Sequence, residues 1–224
     1  METKYIPFNN SDTKYYFFDF PIDKTIYINK NKNLVCNKTG SITIYTLDEK
    51  IKYIGEVSNG EITGKGRFYY NNNILQYYGY VINSVPIKGR FYYNNGYLKC
   101  KLNNNQSEIY YNKLDCHSNP IIHYVGGILN NNFDGYGRVF YNNGVLGYCG
   151  KLQNGKPHGT GKYFYENSKL AYDGKFREGK FDGYGMLYSK NGSHFYTGIF
   201  KNDRCPGKFL NLRKKWDFQK LFIW

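Results

Sequence analysis

"YDGKFREGKFDGYG", residues 172–185, interleaves four glycines with four aromatic residues, and this mixture recurs along the chain. At a step of 24 residues, Tyr172 has counterparts at Tyr124, Tyr148 and Tyr196, and the glycine two positions later recurs with each of them. A fixed period of this length is typical of an array built from one supersecondary unit. We therefore predict a repeat protein.

Each unit reads Y-x-G, eight residues, G-x-G, and then an aromatic segment that ends in Asn-Asn-Gly or a related turn. Looser copies begin at Tyr53 and Tyr77, residues 101–114 keep little beyond an aromatic pair, and residues 27–48 resemble a worn copy. The positions to which we assign a structural role in the repeat are Tyr53, Gly55, Gly64, Gly66, Tyr124, Gly126, Gly135, Gly137, Tyr148, Gly150, Gly159, Gly161, Tyr172, Gly174, Gly183, Gly185, Tyr196, Gly198 and Gly207.

One unit has the pattern of one β-hairpin. Residues 148–154 alternate with a strand period, "GKPHG" at 155–159 is predicted to turn the chain, and residues 160–167 run back. The Asn-Asn-Gly turns, such as residues 142–144, tolerate positive φ and can start the next hairpin. The predicted fold is all-β, an elongated single-layer antiparallel sheet of stacked hairpins that advances about 10 Å per repeat.

Strand alternation sorts these residues onto two faces. Tyr172, Gly174, Gly183 and Gly185 are predicted to share one face, where the glycines make room for the tyrosine ring. The opposite face is predicted to be cationic, because four of the five residues that follow the second glycine of G-x-G are basic. With the basic tail, these cations form the predicted contact with an acidic surface: Arg67, Arg90, Arg138, Lys162, Arg213, Lys214 and Lys215.

The composition limits the class of protein. The net charge of +14 over 224 residues is spread along the chain, which favours solubility over specific recognition. The chain has no run of 18 apolar residues and does not begin like a secretory leader, so we expect an intracellular protein, either cytoplasmic or membrane-peripheral. Five cysteines without CxxC spacing indicate reduced thiols.

Three regions are expected. Residues 1–52 are interpreted as an N-terminal extension or degenerate hairpins that cap the array, with a turn at Pro21. Residues 53–210 form the array, which is degenerate over 100–123. Residues 211–224 are interpreted as a basic, aromatic cap; the alternative for this tail is contact with an anionic membrane.

The segments at 124–144, 148–168 and 172–192 resemble MORN repeats, and "FYYNNGYLK" at 91–99 is similar to the YYxNGxLxxxG variety found in bacterial and viral proteins. The resemblance covers about residues 53–207. It implies a curved sheet of hairpins with an aromatic groove, and a role in protein association, scaffolding or attachment near membranes. It implies no catalytic residues.

Catalytic and ligand sites are poorly represented in this sequence. Cys116, His117 and His123 offer three potential zinc ligands at a spacing that matches no standard finger, so we predict no metal and no cofactor. His158 and His194 are predicted to lie in turns, without a nucleophile near them in sequence. An enzyme with a site near Cys116 and His123 is the least favoured hypothesis.

The expected function is a non-enzymatic scaffold that binds a partner protein, or a second copy of this chain as a homodimer. The alternative is a peripheral binder of anionic membranes. Nucleic acid is an unlikely partner, because the rings are expected on one face and the cations on the other, whereas a stacking platform needs both together.

Overall fold

The two glycine signals of each repeat lie on adjacent antiparallel strands, and the residues between them make a tight turn. The computed structural model describes residues 27–28, 39–45, 50–103, 106–130 and 132–205, and within these ranges it contains strands and no helix. The chain divides into two units, residues 1–104 and 105–224. The division falls inside the segment 100–123, where the repeat signal fades.

The first unit is an antiparallel sheet whose strands pair in chain order. Its described strands are β1 (Tyr27–Ile28), β2 (Gly40–Tyr45), β3 (Ile51–Ser58), β4 (Glu61–Tyr69), β5 (Leu75–Ile82), β6 (Val85–Tyr92) and β7 (Leu98–Leu102). Within the region 1–52, the described segments β1 and β2 pair with each other, and β2 pairs with β3. Pro21 lies outside the described residues.

The second unit is also an antiparallel sheet with strands in chain order. Its strands are β8 (Ser107–Leu114), β9 (Pro120–Leu129), β10 (Asn132–Phe140), β11 (Leu146–Gln153), β12 (Lys156–Phe164), β13 (Leu170–Arg177), β14 (Lys180–Tyr188) and β15 (His194–Phe200). Both units are open sheets of consecutive hairpins, which confirms the predicted all-β fold.

The turn inside a repeat is shorter than predicted. The chain reverses at Asn154 and Gly155, whose φ angles of 49° and 74° are those of a two-residue turn that matches strand twist. Residues 156–159 already belong to β12, so the prediction of a turn over "GKPHG" is wrong, and His158 lies in a strand. The Asn-Gly pair carried the stronger turn signal.

The turn between repeats contains the predicted Asn-Asn-Gly segment. At residues 141–145 the Tyr141 N–H donates to the Val145 carbonyl at 2.8 Å, and the Asn143 side chain accepts from the Val145 N–H at 3.0 Å. The same turn closes at Ser189 and Ser193, so His194 is the first residue of β15, and its predicted place in a turn is wrong.

A row of glycines crosses each sheet at one level, because the Y-x-G glycines pair with glycines on one or both neighbouring strands. In the first unit the row contains Gly55, Gly66, Gly79 and Gly89. In the second unit it contains Gly126, Gly137, Gly150, Gly161, Gly174, Gly185 and Gly198.

The tyrosine two residues before each Y-x-G glycine lies over this row. A Cβ on Gly174 would lie 2.5 Å from the Gly185 Cα, and a Cβ on Gly185 would lie 2.6 Å from Cε2 of Tyr172. Contacts this short are not tolerated, so the ring can lie over the two strands only because both positions are glycine. Tyr172 is 0% exposed as a result.

Gly183 has a different role from the predicted one. It lies in a β-bulge of β14 at a φ of +107°, and a Cβ there would lie 3.0 Å from Cδ of Lys175 and not against Tyr172. The prediction that Gly183 makes room for Tyr172 is therefore wrong. Strict strand alternation places Gly183 on the tyrosine side, and the bulge breaks that alternation.

The repeat tyrosines also satisfy backbone groups. Five of their hydroxyls donate to the carbonyl three residues later: Tyr53 to Glu56 at 2.8 Å, Tyr77 to Tyr80 at 2.9 Å, Tyr124 to Gly127 at 2.7 Å, Tyr148 to Lys151 at 2.7 Å and Tyr172 to Lys175 at 2.9 Å. Phenylalanines pack on these rings, as Phe181 does on Tyr172 with centroids 3.8 Å apart. We call this buried side of each unit the tyrosine face and the opposite side the open face.

Candidate binding face

The open face of the second unit carries a central row of side chains, one from each strand. Arg138 pairs with Val125 and Cys149 on the strands beside it, and Lys162 pairs with Cys149 and Asp173. Arg138 and Lys162 are exposed and occupy equivalent positions on alternate strands. The predicted cationic ladder is therefore interrupted, because a neutral or acidic residue stands between successive cations.

One of these cations is engaged within the chain. Lys162 Nζ lies 3.0 Å from Asp173 Oδ2, and this hydrogen bond raises the pKa of the lysine. Both side chains remain partly exposed, so the pair contributes little to stability. Its effect is to fix one positive and one negative group side by side on the open face.

A second row runs parallel to the central row on the same face. We call it the tyrosine–lysine band, and it comprises Tyr136, Lys151, Thr160, Lys175 and Tyr184. All five side chains are exposed, with Tyr136 at 73% and Tyr184 at 56%. The band contains two cations and no carboxylate.

A groove of about 490 Å³ lies between the two rows. Its floor includes the backbone of Gly137, Gly150 and Gly161, because these positions direct no side chain toward the open face. Tyr136 and Thr160 line one side, and the central row lines the other, with Val125, Arg138, Cys149, Lys162 and Asp173. The groove therefore runs across the strands and offers apolar, cationic and acidic groups together.

Cys149 is the thiol in this groove. Burial raises its pKa, so the thiol stays protonated at neutral pH and is a weak nucleophile. The groove therefore resembles a contact surface more than a catalytic pocket.

The first unit has its own cationic open face. Arg67 and Arg90 both pair with Tyr78, and Arg67 lies 5.2 Å from the centre of that ring. A hydrogen bond from Lys65 lowers the pKa of Tyr78. Beside this row, exposed Tyr80 pairs with Lys65 and Lys88.

Cys116 and His123, the residues of the least favoured enzyme hypothesis, have different surroundings. Cys116 is exposed in the turn at 115–119, where its sulfur lies 3.3 Å from Nδ1 of His117. His123 is buried, with its ring 4.5 Å from the ring of Tyr111. In the described ranges, no group of three or more His, Cys, Asp or Glu side chains is arranged to hold a metal ion.

The structure reveals exposed tyrosines that the sequence interpretation missed. Tyr80, Tyr136 and Tyr184 share the open face with the cations, so the statement that rings and cations lie on opposite faces is wrong for these three. Tyr136 and Tyr184 are the middle residue of G-x-G, and strand alternation alone would have placed them on the open face.

Four of the predicted site residues lie outside the described residues: Gly207, Arg213, Lys214 and Lys215. The other predicted positions lie in the two sheets as described above. Where the chain is described, no helix has the length and apolar character needed to cross a membrane.

The comparisons with known proteins agree with the hairpin geometry. No curated protein matches the chain significantly. The family model of the MORN repeat matches three segments, residues 53–74, 148–169 and 172–194. Each segment begins at or next to a tyrosine that lies over a glycine pair, and each contains the G-x-G strand. These three segments of the chain are therefore MORN repeats.

Proposed function

We propose that this chain is a non-enzymatic interaction module that binds a partner protein through the open face of its second unit. The observation that carries the proposal is the pair of exposed rings on the open face, Tyr136, which lines a groove with cationic and apolar walls, and Tyr184, which lies farther along the same band. Large exposed aromatic side chains next to a concave surface are typical of binding sites, because a partner gains much by covering them.

The division of the side chains between the two faces supports a binding role. The repeat tyrosines are buried and bond to backbone carbonyls, so they are committed to the fold. Tyr136 and Tyr184 are exposed and contribute little to that packing. MORN repeats generally act as binding modules, and the protonated Cys149 and the dispersed Cys116 and His123 give no support to an enzyme.

Affinity capture with variants of the full chain tests this function. The tagged chain is expressed in its source cells, and captured proteins are quantified for wild type and for Tyr136→Ser with Tyr184→Ser. The control is Tyr97→Ser with Leu129→Ser, which also removes two exposed apolar groups. We expect a partner whose recovery falls strongly in the first variant only. Equal recovery from all three proteins would refute the proposed face, and recovery of a second tagged copy would identify a homodimer.

A peripheral membrane role is the second candidate. It is favoured by the first unit, whose open face carries exposed Arg67 and Arg90 beside Lys65 and Lys88. Such a cationic surface attracts anionic lipid. Sedimentation with anionic and with neutral vesicles tests it: binding should require anionic lipid and weaken in Arg67→Glu with Arg90→Glu. The basic tail is tested separately with Lys214→Glu and Lys215→Glu, and binding unaffected by either pair would remove this candidate.

We further propose that the protein works inside the cell, in the cytoplasm or at the membrane surface. The unpaired thiols of exposed Cys116 and half-buried Cys149 support this location, because free thiols persist in reducing compartments. Fractionation of the source cells tests it, and recovery of the chain from the medium would contradict it.

A further inference from the structure

Equivalent side chains on the open face of the second unit recur at a regular distance across the strands. Arg138 and Lys162, which line the groove, are separated by two strands, and so are Lys151 and Lys175 in the tyrosine–lysine band beside it. Adjacent strands lie about 4.8 Å apart, so each pair of equivalent cations repeats at about 9.6 Å along the groove. Tyr136 and Tyr184 are separated by four strands, which is about 19 Å.

A polyproline II helix has nearly the same period. It has three residues per turn and rises about 3.1 Å per residue, so one turn advances about 9.3 Å. Two turns, or six residues, advance about 18.6 Å, close to the separation of the two exposed tyrosines. A β-strand in the groove matches less well, because its side chains repeat every two residues, or about 6.6 Å.

The chemistry of the band specifies the side chains of such a ligand. Proline rings pack on tyrosine faces, which is how aromatic grooves recognise polyproline II segments. Lys151 and Lys175 lie between the two tyrosines, and the band around them contains no carboxylate. Acidic side chains spaced three residues apart would therefore reach the two lysines in the same way, one per turn.

We propose that the tyrosine–lysine band, at the edge of the groove, binds an acidic polyproline II segment, in which proline and Asp or Glu each recur at every third residue. In this segment, prolines six residues apart contact Tyr136 and Tyr184, and two carboxylates contact Lys151 and Lys175. The inference rests on the proposed function, since it names the chemistry of the partner at the same face.

The backbone supports this fit. The stems of Lys151 and Lys175 lie beside Gly159 and Gly183, where a Cβ would be 3.5 Å and 3.0 Å from the respective lysine Cδ. A Cβ at Gly183 would crowd the stem of Lys175, whereas one at Gly159 would make only an ordinary contact with Lys151. Both lysine side chains are exposed beside the groove. Gly183 is therefore part of the site through the lysine stem beside it.

Titration calorimetry or fluorescence anisotropy with the full chain tests the inference. The probe is a labelled peptide, GPEAPEAPEAPG, and it is compared with a peptide of the same composition whose glutamates are two and four residues apart. We expect the regular peptide to bind at least about tenfold more tightly. Equal affinity for the two peptides would overturn the proposed period.

Protein variants test the contacts. Tyr136→Ala with Tyr184→Ala, and separately Lys151→Gln with Lys175→Gln, should each weaken binding of the regular peptide by about tenfold or more. Lys169→Gln with Lys190→Gln, which removes two exposed cations on inter-repeat turns, should leave affinity unchanged. If the tyrosine variant binds as wild type does, or if oligothymidylate binds more tightly than the peptide, the inference is wrong.

The two proposals can fail separately. If the peptide does not bind while capture of the cellular partner still depends on Tyr136 and Tyr184, the acidic polyproline II ligand is refuted and the binding face stands. If capture does not depend on these residues, the proposed function itself is refuted.

Discussion

Single residues in this protein act in pairs formed by a glycine and the side chain that covers it. Tyr172 needs Gly174 and Gly185, and Lys175 needs Gly183. Glycine ordinarily weakens a strand, because it gives no side chain to pack and costs backbone entropy. Here the neighbouring strand supplies the missing packing as an aromatic ring.

Gly185→Ala is expected to destabilise the fold by about 1–3 kcal/mol, because its methyl group would overlap the Tyr172 ring. Denaturant unfolding measures the change. The matched control is Gly144→Asn, which enters open space in a turn where Asn73 already has positive φ in another repeat. The control should change stability by less than about 0.5 kcal/mol. Equal effects in the two variants would contradict the packing role of Gly185.

Tyr172→Phe keeps the ring and removes its hydrogen bond to the Lys175 carbonyl, which is 2.9 Å long. The free energy of unfolding is expected to fall by about 1 kcal/mol, the usual net contribution of such a hydrogen bond. Thermal unfolding measures the change. The control is Tyr184→Phe, which removes the hydroxyl of an exposed ring. If only the Tyr184 variant lost thermal stability, the stabilising role of the Tyr172 hydrogen bond would be contradicted.

At the scale of elements, successive repeats are joined at their turns as well as along their strands. Asn167 accepts from the Lys169 N–H at 3.2 Å within its own turn, and its amide donates to the Lys190 carbonyl of the next turn at 2.8 Å. Tyr165 likewise donates to the Tyr188 carbonyl at 2.8 Å. The turns therefore form a hydrogen-bonded column along one side of the sheet.

Asn167→Asp keeps the acceptor for Lys169 and loses the donor to Lys190, whereas Asn167→Ala loses both. We expect stability to fall in the order wild type, Asp, Ala, with each lost bond worth about 0.5–1.5 kcal/mol. Chemical denaturation of the three proteins measures this order. An Asp variant less stable than the Ala variant would exclude a stabilising acceptor role in the turn.

The elements also show what the sequence could predict. The 24-residue period and the alternation around Tyr148 were sufficient for hairpins, because both signals are local. The bulges at Gly159 and Gly183 could not be predicted, since they depend on how two strands pair. For the same reason the groove went unrecognised: its two walls come from β9 to β13, and only the pairing register brings Tyr136 beside Lys151.

At the scale of the whole molecule, buried phenols link stability to alkaline pH. Burial raises the pKa of Tyr111 and Tyr165 to about 12, and it raises the pKa of Tyr124, Tyr148 and Tyr172 still further. In the unfolded chain, tyrosines ionise near pH 10. Because the folded pKa is the higher one, folding favours the neutral form. This contribution is fully present below about pH 10 and is lost as the pH rises toward 12.

Unfolding free energies measured from pH 8 to pH 12 should therefore be nearly constant at first and fall steeply above about pH 10. Phenolate absorbance of the folded chain, recorded in parallel, should rise in two stages, with the buried tyrosines titrating as the protein unfolds. Full ionisation near pH 10 with the fold intact would contradict the buried tyrosine face.

At this scale, the tyrosine face stabilises each sheet, and the open face of the second unit is the surface that we propose for a partner. Photo-crosslinking in source cells tests this claim most directly, with p-benzoylphenylalanine placed singly at Tyr136, Tyr184, Tyr97 and Leu129. We expect adducts to one common partner from positions 136 and 184 and none to that partner from positions 97 and 129. Adducts to that partner only from positions 97 or 129, or an absence of adducts from 136 and 184, would contradict it.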